Sequence, residues 1–407
     1  MRPLDEHRRL ARALGQPLPA EPTGLDDALG RVLARDVRST GPLPAWDNSA
    51  MDGYAVRAAD VASASPEAPV RLPVALEAAA APTDPRTLPP GSAARIMTGA
   101  PVPAGADAVV PVEQTDGGTQ TVELRAAAAP GACVRRAGSD VGAGDLVLTA
   151  GTLLGPGHVA ALAAVGLDGV PTHRRPRVAV LSTGDELVPP GRPLRHGQLH
   201  DSNSWLLAAQ VRAAGGEPVR MGPAPDDADA LRALLRELDG TVDAVVTSGG
   251  VSMGAYDVVK AALVGTDLGA DVELVTVAVQ PGKPQALGRL PGGTPFFGLP
   301  GNPVSTFATF ELFVRPALQR MRGLADPERP ALEAVADEGW STPAGRAQVM
   351  PVRWVGPGRR RVAPASPGGS GSHLVARLAL LDALAVVPAD VDRVEPGDTV
   401  TVLEVSP

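Results

Sequence analysis

Three short segments carry residue types that could hold an anionic ligand. They are Leu181-Ser182-Thr183-Gly184-Asp185-Glu186-Leu187, Thr247-Ser248-Gly249-Gly250-Val251-Ser252 and Leu299-Pro300-Gly301-Asn302-Pro303-Val304-Ser305. A Ser-Gly-Gly loop ahead of a helix exposes backbone N–H groups with no side chain in the way, which is the physics of a phosphate or oxyanion cradle. The same glycines would also serve a tight strand–helix turn that needs positive φ, so the residues alone leave both readings open. No Gly-Lys-Ser/Thr follows, which excludes a Walker-type loop. Asn302 and Pro303 stand as N-cap and first helical residue, either for capping alone or to leave a second helix N-terminus free for the ligand.

Acidic residues follow the same segments: Asp185, Glu186, Asp226, Asp227 and Asp257. Mg²⁺ is typically held by one or two carboxylates together with ligand phosphate. Glu186 and Asp257 stand nearest the glycine loops, whereas Asp227 just before a helical pattern reads as a cap. Lys283, in Gln280-Pro281-Gly282-Lys283-Pro284, is one of two lysines, with Lys260, against 35 arginines. Two prolines stiffen its loop, which suits an anion contact as well as an ordinary exposed position. The six histidines show no metal-ligand spacing, and no Gly-x-Ser-x-Gly elbow or Cys/His pair points to covalent catalysis.

Elements of a definite kind must position these segments. Val178–Leu181 is a continuous apolar run, and further strands are expected over Pro218–Met221, Asp243–Thr247, near Glu273–Val279 and over Pro295–Leu299. Helical patterns over Ser204–Ala214, Asp227–Leu238, Tyr256–Leu263 and Pro303–Met321 lie between or after them. Buried strands alternating with helices predict a doubly wound parallel sheet over residues 176–325, with ligands at the carboxyl ends of its strands. Residues 47–136 read as short β-like runs separated by turns, a small β-rich domain. Residues 1–46 open with a helix carrying Leu4, Leu10 and Leu14, followed by a short helical pattern over Gly24–Ala34. Residues 137–175 are glycine-rich and end in a helix; packed back on the N-terminal helices, they would make the β-rich domain an insertion. Residues 326–407 return to short strands, a β-barrel or sandwich.

Composition agrees with several packed domains. The chain has 407 residues, 44% of them apolar but only 3% aromatic, so its cores are built from Ala, Val and Leu. About two to four domains are expected at this length. A formal net charge of −8 argues against nucleic acid as the main partner. Cys133 is the only cysteine, which excludes an internal disulfide and a thiolate zinc site. Met1–Arg9 is charged without an apolar stretch, and no run approaches a membrane span, so a soluble cytoplasmic protein is expected.

Longer motifs carry a resemblance. Asp47-Asn48-Ser49-Ala50-Met51-Asp52-Gly53-Tyr54-Ala55-Val56, Met97-Thr98-Gly99-Ala100-Pro101-Val102-Pro103 and Ala106-Asp107-Ala108-Val109-Val110, with the three segments above and Asp201-Ser202-Asn203, resemble the molybdopterin molybdenumtransferase family, that of MoeA and the gephyrin E-domain. The resemblance implies a split linking domain (1–46 and 137–175), an inserted β-rich domain (47–136), an α/β molybdopterin-binding domain (176–325) and a C-terminal β-barrel (326–407). It implies a homodimer whose cleft is built from both subunits. The implied reaction is that of adenylylated molybdopterin with molybdate, giving molybdenum cofactor and AMP with the help of Mg²⁺.

The resemblance also implies site residues. The acidic positions fall on Asp52, Asp140, Glu186, Asp226 and Asp257, with Glu186 and Asp257 as Mg²⁺ ligands. Molybdopterin and phosphate contacts fall on Thr183, Gly184, Ser248, Gly249, Gly250 and Ser252, and on Pro300, Gly301, Asn302, Pro303 and Ser305. Lys283, Arg346 and Ser372 would hold molybdate. Gln280 stands where many members carry a second lysine, and Pro351 near where many carry an arginine. With a single Ser-Gly-Gly domain, the adenylylating step is expected of a separate protein, and acceptor molybdoenzymes or their chaperones of the product. Some gephyrin-like relatives act as scaffolds, so the alternative is a dimeric scaffold with weak or lost catalysis.

Overall fold

The computed structural model describes residues 1–82, 84–251, 257–366 and 371–405. Ser252 and Tyr256 lie outside the described residues. The chain forms two compact units: Met1–Ala34, Gly151–Leu154 and Pro171–Pro407 make one, and Arg35–Ala150 with Gly155–Val170 the other.

The first unit is organised by a six-stranded sheet in the order Glu217–Ala224, Arg177–Thr183, Ala244–Ser248, Pro295–Leu299, Pro284–Arg289, Asp271–Thr276. The first four run parallel, because a helix returns the chain across a face of the sheet between successive strands. Alternate residues of each strand feed opposite faces. Val178, Val180, Val246 and Phe297 meet the helices Asn203–Ala213 and Pro303–Met321, whereas Ala179, Leu181, Val245 and Phe296 meet Ala228–Leu238 and Val258–Leu263. The strand Pro284–Arg289 is an addition to the expected set and runs against both neighbours. No helix intervenes on either side of it, so it enters by direct reversal of the chain.

The helix from Pro303 changes character midway. Pro303–Thr309 and Arg315–Met321 are α-helical, but Phe310–Val314 is a π-segment in which the Arg315 N–H donates to the Phe310 carbonyl. Pro316 is the cause: it has no N–H for the Leu312 carbonyl and its ring crowds that oxygen, so the ladder widens by one residue. The wide turn carries Glu311, 6% exposed, inward. Its carboxylate accepts from Arg329 Nε at 2.8 Å and Gln210 Nε2 at 3.0 Å. Arg329 also donates to the Glu404 carbonyl at 2.7 Å, so this carboxylate ties the helix Asn203–Ala213 to Arg329 and, through it, to the last strand.

The C-terminal strands Ala331–Ala336, Ala347–Val355, Arg361–Pro364, Ala383–Val387 and Thr399–Glu404 close into a five-stranded barrel. Met350 and Val352 face the barrel core with Val362, Ala385 and Val402, whereas Val349 joins the core under the sheet. A two-residue strand, Val279–Gln280, leaves the sheet region and pairs with Ala347–Gln348 of the barrel.

The N-terminal helix Leu4–Leu14 lays Leu4, Leu10 and Leu14 on the core beneath the sheet, as their spacing suggests. The following pattern forms only the short helix Leu25–Ala28, after the strand Ala20–Gly24. His7 is 1% exposed and meets the Phe313 ring edge-on, centroids 4.6 Å apart. Burial, and next the Arg2 guanidinium, lower its pKa from 6.5 to about 4. Between those values the unfolded chain binds the proton more readily, so stability falls as pH drops from about 6.5 to about 4, by about 3 kcal/mol in all. A His7→Gln variant should therefore lose less stability than the parent between pH 7 and pH 4 in urea titrations. Equal losses would refute the assignment.

The second unit holds a five-stranded sheet in the order Ala108–Pro111, Gly53–Val56, Ala93–Ile96, Val70–Ala78, Thr121–Leu124. Its cores are mainly Ala, Val and Leu, as the composition requires, with Tyr54 as the large exception. Among the described residues no helix is long and apolar enough to cross a membrane.

Candidate active-site cleft

Parallel strands bring their carboxyl ends to one edge, and register makes the three motif-bearing ends neighbours. Ser182 lies opposite Ser248, and Ser248 opposite Leu299. The loops beyond them interlock. Gly249 has φ +93°, and a Cβ there would stand 2.8 Å from Thr183 Oγ1, so only glycine admits the approach. Its N–H donates to the Leu299 carbonyl at 3.0 Å. Thr306 Oγ1 holds the Pro300 carbonyl at 2.7 Å, and Asn203 Nδ2 the Gly301 carbonyl at 2.6 Å.

These loops floor a cleft of about 1250 Å³. Thr183, Gly184, Ser248, Gly249 and Gly250 line it, as do Pro300, Gly301, Asn302, Pro303 and Ser305. The acidic residues Glu186, Asp226 and Asp257 reach the same cleft. Lys283 on its proline-flanked loop and, from the C-terminal region, Arg346 and Ser372 line it too. Asp52 and Asp140 belong to the other unit. There both are exposed, and Asp52 accepts from the Thr98 N–H at 2.6 Å and Thr98 Oγ1 at 2.7 Å. Those bonds, backbone first, hold its carboxyl below the usual range.

Local geometry separates residues that look alike in sequence. Asp227 caps the helix Ala228–Leu238, accepting from the Asp229 N–H at 2.8 Å and the Ala230 N–H at 3.1 Å. Asp226 instead faces the Gly184–Asp185 loop: its N–H donates to Asp185 Oδ1 at 3.0 Å, and its Oδ2 accepts from the Asp185 N–H at 3.3 Å. Asn302 occupies the cap position before Pro303, but its side chain makes no cap bond. It donates to Ser372 Oγ at 3.0 Å, while the Ser372 carbonyl accepts the Val304 N–H at 3.1 Å. Ser372 is thereby fixed at the helix N-terminus.

Sequence reasoning does not place His200 in the site, although it lines the cleft, and His373, next to Ser372, lines it as well. Asp201 and Asn203 belong to the Asp201-Ser202-Asn203 motif. Asp201 is 1% exposed and accepts from Ser182 Oγ at 2.7 Å, from the Ser204 N–H at 3.0 Å and from Ser204 Oγ at 2.5 Å. It locks the first strand end to the start of the next helix. A buried-type Asp beside Ser and Asn at a helix start was the signal available for it.

Two buried hydroxyls at the cleft floor, Thr183 Oγ1 and Ser248 Oγ, have no hydrogen-bond partner among the described residues. Orphaned polar atoms are costly in a closed core and are concentrated where a ligand or ion completes the structure. Among the described residues no group of three His, Cys, Asp or Glu converges as a closed metal cage. Mg²⁺ keeps several waters and takes part of its shell from ligand phosphate. Glu186 and Asp257 with the floor hydroxyls are a donor set of the right chemistry: hard oxygen, at most two carboxylates.

The comparisons with known proteins converge on the same reading. Residues 2–166 match the MoeA N-terminal region (domains I and II), residues 179–320 a probable molybdopterin binding domain, and residues 333–405 the MoeA C-terminal region (domain IV). A molybdopterin molybdenumtransferase 2 of Mycobacterium tuberculosis is 45% identical over 415 residues, covering 100% of both chains. The chain belongs to the molybdopterin molybdenumtransferase family. A relative of that name from Nostoc is 40% identical over 383 residues, 93% of this chain and 87% of its own length. The crystal structure of a MoeA protein from Pyrococcus horikosii superposes with a TM-score of 0.85 at 34% identity, covering 99% of this chain and 98% of that one. The family thus spans both units, and the cleft belongs to its molybdopterin-binding and C-terminal regions.

Proposed function

We propose that this family member inserts molybdate into adenylylated molybdopterin, releasing AMP and molybdenum cofactor. One observation carries the reading. A strand-end cradle of glycines and of hydroxyls without a partner among the described residues shares a single cleft with a lysine, an arginine and a serine. A phosphate-bearing substrate and a separate oxyanion would lie together in this cleft. Loop N–H groups and the hydroxyls of Thr183 and Ser248 bind phosphate oxygens. Lys283, Arg346 and Ser372 bind the molybdate dianion, with Asn302 orienting the Ser372 hydroxyl. Glu186, Asp226 and Asp257 place negative charge beside the phosphoanhydride, where a cation would bridge the two.

Mg²⁺, held by Glu186 and Asp257, would supply positive charge that polarises the phosphoanhydride bond. Asp52 and Asp140 complete the acidic set in this proposal. A homodimer, a cytoplasmic location, a separate adenylyltransferase and acceptor molybdoenzymes belong to the same reading.

The test mixes purified protein with adenylylated molybdopterin, Mg²⁺ and molybdate, and follows molybdate-dependent AMP release together with activation of a cofactor-free molybdoenzyme. Both signals are expected. Neither signal from folded protein would move the balance to a scaffold. Within this assay Lys283→Gln should raise KM for molybdate about tenfold, the value of one charge-assisted contact, with a smaller change in kcat. An unchanged KM would take Lys283 off the oxyanion.

A further inference from the structure

The loop Pro300-Gly301-Asn302 lines the cleft and carries the amide that holds Ser372. Its three carbonyls are fastened in two ways. Thr306, in the helix that the loop opens, holds two of them. Its Oγ1 donates to the Pro300 carbonyl at 2.7 Å and its N–H to the Asn302 carbonyl at 2.9 Å. Both bonds lie within one helix and its own entry turn. The Gly301 carbonyl is held from a different element, by Asn203 Nδ2 at 2.6 Å.

Asn203 is itself anchored. It opens the helix Asn203–Ala213, and its neighbours tie that helix start to the first strand. Asp201 accepts from Ser182 Oγ at 2.7 Å and from the Ser204 N–H at 3.0 Å. Asn203 is 8% exposed and still contributes to the cleft lining. A carbonyl only accepts, so the atom facing Gly301 must be the amide nitrogen, and the orientation of the side chain is fixed. Its other end, Oδ1, is buried without a hydrogen-bond partner among the described residues. A buried acceptor left unpaired costs stability. An amide kept at that cost serves something other than packing, as local departures from full satisfaction do at functional sites.

At the other end of the loop, Asn302 Nδ2 donates to Ser372 Oγ at 3.0 Å, and the Ser372 carbonyl accepts the Val304 N–H at 3.1 Å. A hydroxyl oxygen that accepts one bond keeps its proton to donate elsewhere, and molybdate offers only acceptors. The direction of that proton follows the Asn302 amide, and Asn302 is the residue after Gly301. We infer that Asn203 is a positioning residue for the oxyanion: by holding the Gly301 carbonyl it sets the Asn302 amide, which turns the Ser372 hydroxyl proton toward molybdate. The inference deepens the proposed function and rests on it. Asn203 acts here through two hydrogen bonds in series, without touching the oxyanion.

The test measures equilibrium binding of molybdate and of AMP to the full chain, to Asn203→Ala, to Asn302→Ala and to the double variant. Truncating Asn203 removes one hydrogen bond and one unpaired acceptor together, so the melting temperature should change little. Each single variant should weaken molybdate binding about fivefold, the worth of one hydrogen bond. The double variant should bind about as weakly as the poorer single variant, because both residues act through the same hydroxyl. AMP should bind as before. Asn203→Asp keeps the shape of the side chain but faces the Gly301 carbonyl with an acceptor, so it should lose at least as much molybdate affinity as Asn203→Ala. In turnover, KM for molybdate should rise with little change in kcat. Unchanged molybdate affinity in Asn203→Ala overturns the inference, as does an additive loss of about twenty-fivefold in the double variant. Equal losses of AMP and molybdate affinity would mark a general collapse of the cleft and likewise refute it. A parent that binds molybdate without turning over counts against the proposed function, and the binding comparison still decides the role of Asn203.

Discussion

Asp257→Asn should leave the protein folded and cut molybdate-dependent AMP release by about 10²-fold or more, the usual loss when a charged group acting on a reacting phosphate is neutralised. Asp257 follows the interlocked glycine loop, lines the cleft and stands directly before the helix Val258–Leu263, whose first turn its side chain does not cap. Neutralising it removes charge from the site without removing a cap. The substitution is nearly isosteric, so the melting temperature should change little. The decisive comparison is kcat at saturating molybdate with Mg²⁺ varied. A variant matching the parent at every Mg²⁺ concentration would remove Asp257 from the chemistry, and one rescued by excess Mg²⁺ would make it a metal ligand.

The largest expected change in stability belongs to Glu311→Ala, at about 3 kcal/mol or more, because breaking a buried ion pair leaves its partner charge uncompensated. Glu311 is the carboxylate that Arg329 meets at 2.8 Å, and Arg315 Nε lies 3.9 Å away. Burial, and next the Arg329 charge, already lower the Arg315 pKa, so that guanidinium has little tolerance for losing its counter-charge. Gln210 would also lose an acceptor. Urea denaturation of parent and variant at neutral pH measures the difference. A change below about 1 kcal/mol would mean that the network is no stronger than a surface pair.

Much of the site was legible because its signals are local. Val178–Leu181 and Asp243–Thr247 are apolar runs long enough for a buried strand, and each ends in small polar residues and glycine. Helices between them dictate parallel strands, and parallel strands put those ends side by side. The strand Pro284–Arg289 carried no such signal: it has no β-branched residue and contains Gly288, whose absent Cβ would lie 1.9 Å from the Asp271 carbonyl. Its place is decided by packing against its neighbour, which no local pattern records. Asn302 shows the same limit. Its type and position spell a helix cap, yet its amide serves Ser372, seventy residues along the chain. The π-segment was readable in principle, since Pro316 cannot donate within a helix, but the length of the apolar pattern hid the interruption.

The pairing of Val279–Gln280 with Ala347–Gln348 has a consequence for how the protein is made. Domains generally fold in the order of their synthesis. A nascent chain carries the glycine loops and Lys283 well before it carries Arg346 and Ser372. Until Ala347–Val355 exists, the lysine loop has no strand to rest on, and the Asn302 amide has no serine to hold. On the proposed reading, a polysome-bound chain can display a phosphate cradle yet has no finished pocket for the oxyanion. On that reading the pocket for molybdate is complete only once the barrel has closed.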